Sequence, residues 1–124
     1  NRTENVSKDE SITISGGRTE NVSKDESITI GGGRTESVSK DESVTVSGGR
    51  TVSIGKADSL TVGKTLSITA ADSITLTTGK ASIVMQKDGT IAISGKDISI
   101  TGSGEITGKA SKNMVLKGQK ILQN

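Results

Sequence analysis

Apolar β-branched residues recur along this chain at every eighth position, as Val6, Ile14, Val22, Ile30, Val38, Val46, Ile54 and Val62. A second apolar residue often sits two places earlier, so that Ile12-Thr13-Ile14, Ile28-Thr29-Ile30, Val44-Thr45-Val46 and Leu60-Thr61-Val62 alternate apolar, polar, apolar. Side chains of a strand point to opposite faces in turn, so each triplet places its two apolar groups on one face and its Thr on the other. No stripe at helical spacing is present, and the abundance of β-branched residues and Gly argues further against helix. The pattern predicts short strands separated by turns. Gly16-Gly17, Gly31-Gly32-Gly33 and Gly48-Gly49 supply residues that accept positive φ where the chain turns sharply.

Two octads with different decoration make a larger unit, Gly17 to Gly32, reading GRTENVSKDESITIGG. The sixteen residues before it match at fourteen positions and the sixteen after it at twelve, and a fixed internal period is the mark of a solenoid, fibre or array. Residues 1–48 are therefore three near-identical repeats. Residues 49–106 keep the beat but become more apolar: Val52 replaces Glu, and the steps Leu66-Ser67-Ile68, Ile74-Thr75-Leu76, Ile83-Val84-Met85, Ile91-Ala92-Ile93 and Ile98-Ser99-Ile100 follow. The spacing loosens around Gly63 to Thr69 and again at Met85, which predicts bulged corners there. Residues 107–124 lose the pattern through Gly108 to Asn113 and regain it at Met114-Val115-Leu116 and Ile121-Leu122, the expected place of a C-terminal tip or cap.

Composition turns this strand array towards assembly. The 124 residues contain no Phe, Tyr, Trp, Pro, Cys or His, and apolar residues make up 29%. Aromatic residues bury roughly 150–250 Å² each in ordinary cores, so a lone compact monomer is poorly supplied. Low hydrophobicity with many Ser, Gly and Lys fits disorder, but the strict spacing of β-branched residues does not. One apolar pair per octad cannot cover a sheet face in a sandwich. It is a narrow stripe that several chains wound around one axis would bury, and a prism a few side chains wide has no room for rings. The axis core expected on this reading is Val6, Ile12, Ile14, Val22, Ile28, Ile30, Val38, Val44, Val46, Ile54, Leu60, Val62, Ile68, Ile74, Leu76, Met85, Ile91, Ile93, Ile98 and Ile100. Charged neighbours such as Arg18 with Glu20 and Lys24 with Asp25 are expected to pair between chains and set a register that identical repeats leave prone to slip.

The net charge is +2, too small for a nucleic-acid footprint, and none is expected. It divides unevenly: residues 1–48 carry six Lys or Arg against nine Asp or Glu, and residues 49–124 carry ten against five. The absence of Cys excludes disulfides and thiol chemistry. There is no apolar run of about 18 residues and no signal-peptide pattern. The chain opens in mid-repeat at Asn1, as a piece of a longer protein would.

The octads GRTENVSKDESITIGG, GRTESVSKDESVTVSG and GRTVSIGKADSLTVGK resemble the C-terminal region of VgrG proteins, the spike of the bacterial type VI secretion system. The resemblance extends over essentially the whole chain, and Asp58-Ser59-Leu60-Thr61-Val62 and Asp72-Ser73-Ile74-Thr75-Leu76 also look like that family's needle. It implies an all-β fold, an intertwined triple-stranded β-helix of three identical chains forming a trimeric β-prism. It also implies a cell-puncturing role: the needle of a contractile injection machine is driven through a target envelope and carries a PAAR-type cone or effector on its blunt end. Such a protein waits in the bacterial cytoplasm, is exported by the machine without a signal peptide, and ends outside the cell or in the target cell.

Candidate sites follow from these expectations. With no His and no Cys the common bases, nucleophiles and metal ligands are missing, and Asp9-Glu10 and Asp25-Glu26 recur only because the repeat recurs, so no enzyme activity is expected. No cofactor or metal is expected either. Glu4, Glu20 and Glu36 occupy the octad position of Ile12 and Ile28, and because an unpaired buried carboxylate is costly they either lie at corners in solvent or line a hydrated stretch of the axis with ions or water. Ile121, Leu122, Gln123 and Asn124 are the candidate partner-binding tip, since the blunt end of a prism leaves strand edges and apolar groups uncapped. The alternative to a needle is a phage tail or adhesin fibre segment with a receptor-binding surface, which would carry aromatic or Asn/Gln-rich exposed patches that this sequence lacks.

Overall fold

The structure, a computed structural model, describes residues 2–122. The described residues contain strands, bends and turns and no helix. Two units are distinguished, Asn1–Ser53 and Ile54–Asn124.

In Asn1–Ser53 the chain runs in six-residue extended stretches separated by two-residue bends at 7–8, 15–16, 23–24, 31–32, 39–40 and 47–48. The bends alternate Ser-Lys with a pair ending in Gly, so the octad read from apolar residues is also the octad of the backbone. Within this unit no described backbone N–H bonds a carbonyl of the same chain. Every described residue of the unit is exposed. Ordering a residue's backbone costs roughly 1–2 kcal/mol, and nothing inside this unit offsets that cost. The hydrogen-bonding edges of each stretch remain open for a neighbour.

In Ile54–Asn124 the same bends continue at 55–56, 63–64 and 71–72, with no bulge between Gly63 and Thr69. There the chain changes habit. Strands β1 (Ser73–Thr78), β2 (Ala81–Gln86) and β3 (Ile91–Ser94) form an antiparallel sheet in the order β1-β2-β3. The first turn is the pair Gly79-Lys80, with Gly79 at φ 52°, the left-handed conformation that a two-residue hairpin with Gly in first place requires. The second is a tight turn in which Gly89 N–H donates to the Gln86 carbonyl at 3.0 Å and Gln86 N–H to the Thr90 carbonyl at 3.0 Å. Gly89, at φ 88°, provides the left-handed residue that closes it. Asp88 Oδ1 accepts the Thr90 N–H at 2.9 Å, fixing this turn locally. The bulge expected at Met85 is thus a pair of hairpins.

After β3 the bends resume at 96–97, 103–104 and 111–112. The loss of apolar rhythm between Gly108 and Asn113 is not a loss of backbone rhythm. Gly and Ala take the places where Ile and Val stood, which erases the beat from the sequence while the bends persist. No described residue of the chain is buried, and its accessible surface is 13779 Å². A compact monomer of this mass would expose only about 6,200 Å². The core expected from the sequence is not completed within one chain.

Candidate functional site

Numbering each extended stretch from one to six resolves the surface into columns. Positions two, four and six share a face, because side chains alternate along an extended backbone. Position six carries Val6, Ile14, Val22, Ile30, Val38, Val46, Ile54 and Val62, all between 43% and 52% exposed. Position four carries Ile12, Ile28, Val44, Val52, Leu60 and Ile68, all between 60% and 73% exposed. Within each unit the expected axis residues therefore fall at positions four and six of their stretches, with position six, next to the bend, consistently the more covered.

Position two carries a charge ladder: Arg2, Glu10, Arg18, Glu26, Arg34, Glu42, Arg50 and Asp58 alternate in sign at each step. Where position two is Arg2, Arg18 or Arg34, position four is Glu, and the pair closes within one chain, with Nη2 to Oε2 distances of 2.7, 2.6 and 2.8 Å. Arg18 and Glu20 thus pair along one chain, where pairing between chains was expected. Two residues apart on an extended backbone is the spacing that puts both groups on one face within reach. Glu4, Glu20 and Glu36 lie within stretches, not at bends, on the face of the apolar columns. In the single chain these pairs are solvated and worth roughly 0–1 kcal/mol each.

In the sheet the apolar face continues by cross-strand pairing. Ile74 stands opposite Met85 and Leu76 opposite Ile83 between β1 and β2; Met85 stands opposite Ile91 and Ile83 opposite Ile93 between β2 and β3. Ile83, read in the sequence as part of the step Ile83-Val84-Met85 but not among the expected axis residues, is the central residue of this face. Its strand-turn context, with Gly79-Lys80 before it and Asp88-Gly89 after it, was the available signal. An open groove of about 780 Å³ is lined by Leu76, Ile83 and Ile93 of this face, by Thr75, Thr77 and Ser82 of the opposite one, and by Asp97 and Ile98 after the sheet. At the far end of the sheet the Lys87 N–H donates to the Asp72 carbonyl at 2.9 Å, and Lys87 Nζ meets Asp72 Oδ1 at 3.0 Å, extending the β1–β2 ladder past Gln86.

Beyond the sheet, the bends at 96–97 and 103–104 leave a stretch of five residues, in which Ile98, Ile100 and Gly102 take positions one, three and five and share a face. A Cβ on Gly102 would lie 2.9 Å from Ile106 Cγ1, so the glycine makes room for the isoleucine of the following stretch. Of the expected tip, Ile121 and Leu122 are 60% and 79% exposed, while Gln123 and Asn124 lie outside the described residues.

Among the described residues no group of three His, Cys, Asp or Glu could hold a metal ion. The Asp88 carboxyl is held below its ordinary range by the backbone N–H of Thr90 and then by the Thr90 hydroxyl, which is turn chemistry at an exposed site. Among the described residues no helix is long and apolar enough to cross a membrane. What Asn1–Ser53 presents is a periodic array in which each stretch from Arg2 to Val46 carries a charge at position two and an apolar group at position six, with its backbone groups unbonded within the chain. A family model described as the bacteriophage T4 gp5 C-terminal trimerisation domain matches residues 1–85. A comparison with curated proteins finds no match.

Proposed function

The chain belongs to the bacteriophage T4 gp5 C-terminal trimerisation domain family, and from that premise we propose that three copies wind about one axis to form a structural, cell-puncturing needle. The observation that carries this is the unit Asn1–Ser53, regular in its bends at every eighth residue yet without an internal backbone hydrogen bond or a covered residue among those described. Such order needs partners that are equally regular, and copies of the same chain supply matching edges at matching heights. Strands from the three chains complete the ladders, and the position-four and position-six columns fill the axis as a triple-stranded β-prism. The mechanism is stiffness: an interwound chain cannot peel away without disturbing the other two.

The finer reading is a type VI secretion spike of the VgrG kind. Contraction of the machine carries it out of the bacterial cytoplasm and through a target envelope, and its blunt end, near Ile121 to Asn124, docks a PAAR-type cone or effector. It works without enzymatic activity and without a cofactor. The polar outer face suits forced passage through a membrane more than residence in one. Light scattering combined with small-angle X-ray scattering tests the assembly. A mass three times the 12.7 kDa of the chain with a rod-like profile is expected. A monomer at all concentrations would remove the needle reading, and a rod that binds a cell-surface receptor through its flank would favour a tail or adhesin fibre.

A further inference from the structure

The octad repeats carry a weakness that the sheet is placed to correct. Residues 17–32 repeat the preceding sixteen at fourteen positions, so a copy displaced by one repeat along its partners meets nearly the same side chains. A strand whose neighbours repeat specifies its register weakly. The charge ladder at position two repeats with the same sixteen-residue period through Glu42, so it opposes a slip of eight and permits a slip of sixteen. Something outside the repeats must decide.

We infer that the apolar face of the β1–β2–β3 sheet is seated against the same face of two further copies of this chain and acts as the register clamp of the assembly. This rests on the trimeric reading above. Three observations support it. The sheet is the one described segment whose strands pair within their own chain, so its position along the axis is set before partners arrive. Its sequence occurs once, so a displaced neighbour finds no second match. Its face is uncharged, with Ile74, Leu76, Ile83, Met85, Ile91 and Ile93 meeting across the strands; all but the half-buried Ile74 are exposed, and an open groove of about 780 Å³ lies along Leu76, Ile83 and Ile93.

The occupant follows from continuity and area. Within Ile54–Asn124 the face follows Leu60, Val62 and Ile68 in sequence and is followed by Ile98 and Ile100, so a partner that covers those residues also reaches the sheet. The 13779 Å² surface is more than twice the ~6,200 Å² of a compact monomer. An obligate interface of roughly 2,000–5,000 Å² is therefore available from copies of this chain alone. β1 and β3 also leave uncharged outer edges, which a neighbouring copy can approach without repulsion. At this level each chain contributes a whole sheet to one side of the prism, in place of single interwound strands.

The chain has no Cys, so a single introduced thiol reports its own surroundings. In the full chain, Ile93→Cys places the thiol on the proposed contact face and Ala92→Cys on the opposite face, away from the groove. In the assembled protein, maleimide modification at Ile93→Cys should be about tenfold or more slower than at Ala92→Cys, since access governs the rate for thiols of similar pKa. A second variant, Ile83→Asp, should yield monomers or staggered species of mixed mass, whereas removal of residues 17–32 should leave a homogeneous trimer. Equal modification rates in a trimeric protein, or an Ile83→Asp chain that remains a uniform trimer, would overturn the clamp and leave the needle standing. A native chain that is monomeric throughout would remove the trimeric reading itself, and the clamp with it.

Discussion

Truncating Ile30 to Ala tests whether the position-six column lies at a shared axis. Ile30 is 48% exposed in the single chain, so its own chain covers about half of it and partners must cover the rest. Removing a buried isoleucine down to Ala costs about 2–5 kcal/mol in a core. The low end, about 2 kcal/mol, is the safer figure for a side chain only half covered by its own chain. Threefold assembly repeats the loss at one level, giving roughly 6 kcal/mol per trimer, and at about 1.4 kcal/mol per tenfold the trimer should dissociate some 10⁴-fold more readily. Thr29→Ala alters the adjacent residue on the opposite face and should stay within about 0.5 kcal/mol per chain. Sedimentation equilibrium across a dilution series reads the dissociation directly, and thermal melts at several concentrations give an independent measure, since Tm of an obligate oligomer depends on concentration. If the two variants dissociated at the same concentration, or if Thr29→Ala were the weaker trimer, the assignment of faces would be wrong.

Three further outcomes are expected. Replacing Arg18 and Glu20 together, as Arg18→Met with Glu20→Val, should leave the trimer as stable or raise it by about 1–4 kcal/mol, because an ion pair turned towards a core often loses to apolar groups of similar size; Glu20→Val alone strands Arg18 and should lower Tm. Gly102→Val, whose Cβ would sit 2.9 Å from Ile106 Cγ1, should cost about 1–3 kcal/mol per chain in denaturant titrations. Gly104→Ala, with nothing within 4 Å of the added methyl, should cost far less. The Asp88 carboxyl titrates below its ordinary value of 3.8, so its support of the second hairpin is complete above that value and disappears as pH falls through the lowered one. The Thr90 amide resonance should shift in that acid window, and Asp88→Ala should remove the shift.

The octad was legible because backbone and side-chain periods coincide in the repeats. Val22 and Ile30 are eight residues apart, and so are the bends at 23–24 and 31–32. The hairpins were less legible for a related reason. A six-residue strand followed by a two-residue turn, as in Ser73–Thr78 with Gly79-Lys80, is also eight residues long, so apolar spacing alone does not separate a corner from a reversal. The φ of 52° at Gly79 decides between them, and the Asp88-Gly89 dipeptide was the local clue. The late octads were obscured in the opposite way, with Gly102, Gly108 and Ala110 standing where larger residues had kept the beat audible.

By itself, the sequence determined that the chain is a strand array of period eight, that its apolar groups form a narrow stripe, and that one copy lacks the material for a core. These are local and compositional properties, set by side-chain alternation and by the absence of rings. Tertiary structure alone decided that Arg18 reaches Glu20 on the same chain and that Ile83 meets Leu76 and Ile93 across an antiparallel sheet. Those facts depend on whether a turn bends or reverses the chain. That choice rests on the dihedral angles of a few residues, and no count of apolar positions contains it.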